Sequence, residues 1–180
     1  MINIHRKELH EIIELALSWI VVLAMFAYGF GKFVQFEGVS YDNLLVSELT
    51  GMELLWAFYG YSKTFVLILG TFEIIGAILI FFKKTRIIGC IFTTGILLNI
   101  ILQDIFYNVN IGALKAALIY QFCILIILYF NRNILISSIR LLLKSAWKIG
   151  AMKGQVYKYL VAFFLFVIIR IIEFYITTNL

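Results

Sequence analysis

Five runs of about twenty mostly apolar residues, none broken by a proline, leave this chain few ways to fold. A helix rises about 1.5 Å per residue, so roughly twenty residues cross a hydrocarbon layer of about 30 Å. The runs are Glu11–Phe36, Ser62–Phe82, Thr85–Tyr107, Gly112–Asn131 and Tyr157–Asn179. Proline would remove a helical hydrogen bond and kink each span, and the 180 residues contain none. Charged residues make up 14% of the chain and apolar ones 63%. A soluble domain carries about 25% charged residues, because its surface must meet water. The mean hydropathy of +1.02 places most of this surface in lipid. Soluble enzymes, disordered chains and fibres are excluded, and an all-α integral membrane helical bundle is expected.

The first run needs one distinction. Its apolar stretch from Leu15 to Phe30 is longer than the hydrophobic part of a secretory signal and has no small-residue cleavage site. It reads as a retained first helix. The net charge of +5 is then a matter of topology. With the N-terminus inside, Arg6, Lys7, Lys83, Lys84, Arg86, Arg132, Arg140, Lys144, Lys148, Lys153 and Lys158 all fall on the cytoplasmic side. Only Lys32, Lys63 and Lys115 fall outside, and Arg170 lies within a span. Cytoplasmic loops are enriched in Lys and Arg, so the expected arrangement is multi-pass, N-terminus in and C-terminus out. No aromatic–basic groove for nucleic acid is readable.

Two connections exceed simple turns. The outer segment, about 38–61, carries Leu44, Leu45, Leu54, Trp56, Phe58 and Tyr59, and is expected to cap the bundle as a short or re-entrant helix. Residues 132–156 place Ile136, Ile139, Leu142 and Leu143 opposite Arg140, Lys144 and Lys148. That spacing predicts an amphipathic helix in the headgroup layer, anchored by Trp147. The expected organisation is a core over 1–131, this interfacial helix, and a fifth span over 157–180.

Polar residues inside apolar spans are costly, and they face a bundle interior where they pair or act. Lys32, Glu73, Asn99, Gln103, Asp104 and Gln121 lie from mid-depth outward, while the inner halves of the spans read as nearly pure hydrocarbon. A polar cavity opening outward is expected, with Lys32, Glu73, Asn99, Asp104 and Gln121 as its candidate ligand-binding residues. Glu73 has two readings, a ligand or proton site and a purely structural ion pair with Lys32 or Arg170. For Asn99 and Gln121, hydrogen-bonded glue between helices is preferred. Arg170 and Glu173, three apart, read as a self-satisfied ion pair. Thr85 and Arg86 read as a helix cap and a topogenic charge.

No catalytic constellation is present. Cys90 and Cys123 lie singly within apolar runs and read as inert, and His5 and His10 do not share a helical face. No metal site and no resident cofactor are expected.

Short patterns resemble the DoxX-like family of bacterial membrane proteins. Tyr28-Gly-Phe-Gly-Lys32-Phe is similar to the end of that family's first helix. Gly70-Thr-Phe-Glu73-Ile-Ile-Gly76-Ala, followed by an apolar run and Thr85-Arg86, resembles its GxxExxG…TR signature. Leu54-Leu55-Trp56 through Ser62-Lys63, and Leu98-Asn99 through Phe106-Tyr107-Asn108-Val109, look like one branch of it. The resemblance spans about residues 12–131 and implies a four-helix core, with the fifth helix an extension. It also implies location in the bacterial inner membrane and a redox-associated role. Some relatives look like small subunits of thiosulfate:quinone oxidoreductases. On that resemblance Gly70, Glu73, Gly76, Thr85 and Arg86 are family-motif positions. A quinone is the implied ligand, and other membrane subunits are the implied partners. The chain departs from redox-active branches in lacking paired cysteines, and Asn108-Val109-Asn110 replaces an Asp-Val-Pro pattern. A non-catalytic accessory subunit of a larger membrane complex is the alternative.

Overall fold

The computed structural model describes residues 6–38, 45–146 and 152–179. All regular structure among them is helical. In chain order the helices are α1 (Arg6–Gly31), a short 3-10 turn (Val46–Glu48), α2 (Gly51–Tyr61), α3 (Lys63–Phe81), α4 (Arg86–Tyr107), α5 (Ile111–Phe130), α6 (Arg132–Ala146) and α7 (Met152–Asn179). Five are long and apolar enough to cross a membrane: α3, α4, α5, Glu8–Gly31 of α1 and Val156–Thr178 of α7. The chain is therefore a multi-pass helical membrane protein.

It divides into two compact units, Met1–Leu135 and Ile136–Leu180. In the first, α1 packs on α3 and α5, and α4 closes the ring by packing on α3 and α5. The core of this four-helix bundle is fully buried at Val21, Met25, Ile80, Leu97, Ile124 and Ile127. The outward faces of the same helices expose large apolar side chains such as Leu23, Ile88 and Phe122, as a lipid-facing surface requires.

Helix ends are satisfied locally, which matters where water is scarce. Thr50 and Glu53 form a reciprocal capping box at the start of α2. Ser62 accepts from the Phe65 amide to start α3, and Asn110 accepts from Gly112 and Ala113 to start α5. Asn108, at φ 50°, terminates α4 in the left-handed conformation that Asn tolerates.

The first span ends earlier than expected, at Gly31, and residues 32–38 form turns. Phe36 sits in the left-handed region at φ 72°, uncommon for a bulky residue. Its ring is held 5.1 Å from both Trp56 and Tyr59, and this buried aromatic cluster offsets the backbone strain. Within residues 38–61 the structure forms α2, which packs across α3 and α4. Leu44 lies outside the described residues.

Gly29 and Gly70 set the α1–α3 crossing. A Cβ on Gly70 would lie 2.7 Å from the Gly29 carbonyl oxygen and 2.9 Å from Lys32 Cβ. Only two glycines permit so close an approach, and it brings Lys32 to Glu73.

In the second unit, α7 is apolar around its circumference, and Arg170 and Glu173 form an ion pair one turn apart. The helix α6 begins in the first unit with Arg132, and its part in the second carries Arg140 and Lys144 among Ile136, Ile139, Leu142 and Leu143 and ends at Ala146. The expected anchor Trp147, with Lys148, lies outside the described residues.

Candidate functional site

At the α2 end of the bundle, four elements bring polar side chains together. Lys32 follows the last turn of α1, Glu73 is midway along α3, and Asn99, Gln103 and Asp104 lie on the last turns of α4. Tyr59 reaches in from α2. Glu73 is 3% exposed and Asp104 8%, each far below what a solvated carboxylate would show. Lys32 Nζ lies 3.9 Å from Glu73 Oε1 and donates to Gln35 Oε1 at 3.2 Å. The Tyr59 hydroxyl donates to Gln103 Oε1 at 2.7 Å, and Gln103 Nε2 donates to Asn99 Oδ1 at 2.6 Å. Burial, foremost, holds the Tyr59 phenol above its ordinary value of 10, so it remains a donor.

Two adjoining hollows share Lys32, Tyr59, Glu73, Ile100 and Gln103 in their walls. The larger, about 540 Å³, is a groove between α3 and α4 that also includes Asn99. Its apolar wall is aromatic, with Phe72 and Phe92 edge to face at 6.1 Å. These rings are partly exposed on the bundle's outer face, so the groove opens sideways to where lipid would lie. The smaller hollow, about 120 Å³, contains Asp104, Tyr28 and Trp56. It compares with the ~150 Å³ that accommodates one benzene ring. A third, of about 340 Å³, opens beside Lys32 and is spanned by the Lys63–Glu37 ion pair.

Of the expected cavity residues, Lys32, Glu73, Asn99 and Asp104 therefore line this site. Gln121 does not. It is buried on α5, where its amide donates to Thr94 Oγ1 of α4 at 3.3 Å. Counting along a span gives depth but not the face a side chain presents, and Gln121 points at α4. Arg170, the other expected partner for Glu73, is engaged with Glu173.

The opposite end corrects a second expectation. Thr85 makes no side-chain cap; its hydroxyl donates to the Leu79 and Phe82 carbonyls instead. Arg86 is 5% exposed and works as a clamp. Its Nη1 meets Glu14 Oε1 at 2.8 Å and its Nε donates to the Ile80 carbonyl at 3.1 Å. Asn131 Nδ2 reaches the second oxygen of Glu14 at 3.1 Å. A polar network thus ties α1, α3, α4 and the end of α5, where nearly pure hydrocarbon was expected. Glu14 was the available signal: a carboxylate one turn past Glu11 and beside the apolar run beginning at Leu15. A groove of about 800 Å³ lies against this network, with Glu8, Glu11, Lys83 and Phe81 in its wall.

Both cysteines are buried and free. Among the described residues no group of three or more His, Cys, Asp or Glu side chains is placed to hold a metal ion.

The fold and site together define a multi-pass helical membrane protein with a polar-headed, aromatic-walled groove. No protein-family model matches the chain, and no solved structure matches it. Over 130 residues it is 28% identical to the uncharacterized protein YwoB of Bacillus subtilis (strain 168), an alignment covering 71% of this chain and 82% of that protein.

Proposed function

We propose that this protein is a quinone-binding, redox-associated membrane subunit of the DoxX-like kind, residing in a bacterial inner membrane with the α2 end outward. One observation carries the reading: an aromatic groove opening toward lipid ends on a cluster of buried polar groups. An amphipathic ligand with a flat polar head and an apolar tail matches that layout, because each part meets its own chemistry. The head would rest near Lys32, Glu73 and Asn99, and the tail would leave between Phe72 and Phe92 into the bilayer. Glu73, with one oxygen near Lys32 and the other unbonded, is placed to hold a proton at the head.

Electron transfer needs a flavin, haem or iron–sulfur centre, and a partner subunit would supply it. The protein's own part is to bind and orient the quinone, exclude water and hold the proton. A basic α6 exposed at Arg132, Arg140 and Lys144 suits contact with anionic lipid or with such a partner.

The test is a titration of purified protein in detergent with a short-tailed quinone, read by quenching of tryptophan fluorescence, since Trp56 lines the smaller hollow. Saturable quenching that weakens about three- to tenfold in Glu73→Leu is expected, the size of one lost hydrogen bond to the head. Quenching identical in wild type and variant, or linear with added quinone, would count against the assignment.

A further inference from the structure

The smaller hollow is too tight for a ligand ring and too polar to stay dry. Its volume of about 120 Å³ is below the ~150 Å³ that accommodates benzene, but at about 30 Å³ each it has room for about four water molecules. Donors and acceptors without partners face each other across it. The Gln35 amide nitrogen and the Trp56 indole N–H make no hydrogen bond among the described residues, and neither do Glu73 Oε2 and Asp104 Oδ2. Both carboxylates are more than nine-tenths buried. Bound water, which takes two to four polar partners, satisfies both sets at once.

The hollow also lies between two others. It shares Lys32, Tyr59, Glu73, Ile100 and Gln103 with the groove, and Lys32, Gln35, Phe36 and Tyr59 with the hollow of about 340 Å³. That last one reaches the Lys63–Glu37 pair, whose side chains are 66% and 50% exposed. We propose that the small hollow is a water-filled proton path, through which Glu73 exchanges protons with water at the α2 end of the bundle, and that Glu73 and Asp104 share one proton beside Lys32. The inference rests on the reading of Glu73 as a proton site and adds its route and the second carboxylate.

The titratable groups in the wall are Tyr28, Lys32, Tyr59, Glu73 and Asp104. One ammonium balances one carboxylate, and a second negative charge shielded from water is costly, so one proton stays with the pair. Glu73, the more deeply buried, holds it at rest, and Lys32 balances Asp104. In transfer the Glu73 O–H bond breaks as a water in the hollow takes the proton, and that water passes one on to Asp104 Oδ2. Lys32, 3.9 Å from Glu73 Oε1, then balances Glu73. Each state holds one ammonium and one carboxylate, so the transfer adds no net charge to the site.

The experiment is infrared spectroscopy of the full-length protein in lipid nanodiscs, without quinone, after rapid mixing into D2O. Lipid covers the mouth of the groove, which leaves the hollow as the route to water. The C=O stretch of a protonated buried carboxyl is expected, and it disappears in Glu73→Gln. It also disappears in Asp104→Asn, where Lys32 and Glu73 are left as one cation and one carboxylate. In wild type the band reaches its deuterated position within the mixing time. Ala113→Leu and Val109→Phe each fill the hollow from a part of its wall that the groove does not share. Either should slow the shift at least about tenfold, because exchange then waits on an opening of the bundle. The two fillings are independent, so one that fails to fold leaves the other. Equally fast exchange in the filled variants, or slow exchange in wild type, would overturn the path and leave Glu73 as a proton site. A band retained in Asp104→Asn would overturn the shared proton. If Glu73→Gln removes no carboxyl band, the proton reading of Glu73 falls and the path with it, while quinone binding is decided separately by the fluorescence titration.

Discussion

Replacing Arg86 by methionine should weaken the bundle by about 3–5 kcal/mol, the range for removing one member of a buried ion pair. The components can be worked from the geometry. Arg86 makes two bonds, to Glu14 Oε1 at 2.8 Å and to the Ile80 carbonyl at 3.1 Å. At about 1.5–3 kcal/mol for bonds involving charged groups, the losses alone reach that range. Glu14, its side chain 15% exposed, would retain only the Asn131 amide at 3.1 Å. A carboxylate so placed, without its cation, is the larger part of the penalty. The double variant Glu14→Leu with Arg86→Met removes both charges and should recover to within about 1–2 kcal/mol of wild type, since replacing a buried pair by apolar residues is often near neutral. The assay is reversible unfolding in mixed micelles by stepwise addition of SDS, comparing wild type, both single variants and the double. A loss below about 1 kcal/mol in Arg86→Met, or a double variant as unstable as the sum of the singles, would refute a buried clamp and restore Arg86 as a purely topogenic charge.

Three further outcomes are expected. In Gly70→Ala the new Cβ meets the Gly29 backbone oxygen at 2.7 Å, so α1 and α3 must part; a loss of about 1–3 kcal/mol and weaker quinone quenching should appear together in unfolding and fluorescence titrations. Gln103→Leu leaves the buried Tyr59 hydroxyl without its acceptor and should loosen α2 by about 1 kcal/mol, seen as faster amide exchange over residues 54–61. Hydrogen bonds from the Thr50 backbone and side chain hold the Glu53 carboxyl below its ordinary value of 4.5, so the cap favours folding above that pH and is lost as pH falls through the lowered value. Amide protection at the start of α2, corrected for the intrinsic exchange rate at each pH, should therefore fall only below about pH 4.5, and protection that stays constant down to about pH 3 would contradict the capping box.

The spans were legible because length, apolar content and absence of proline act on each segment alone. The gathering of Lys32, Glu73, Asn99 and Asp104 at one end was legible for a similar reason: depth follows from counting along a helix. Azimuth does not, because it depends on how neighbouring helices pack. Gln121 has the right depth, yet it turns toward Thr94. The role of Arg86 was hidden by a different ambiguity. A basic residue at a helix start satisfies the rule for loop charges whether it lies in water or is buried, and only the approach of Glu14 and Asn131 separates the two. The early end of α1 was equally unreadable, since the turn at Phe36 is held by Trp56 and Tyr59, about twenty residues further along the chain.

Photoaffinity labelling with a short-tailed azidoquinone, followed by peptide mapping, tests the central claim most directly. The groove between α3 and α4 predicts label on the segments containing Phe72, Phe92 and Asn99, displaced by excess decylubiquinone and reduced in Glu73→Leu. Label spread evenly over the apolar spans, undiminished by competitor and indifferent to Glu73, would contradict a quinone site at the α2 end of the bundle.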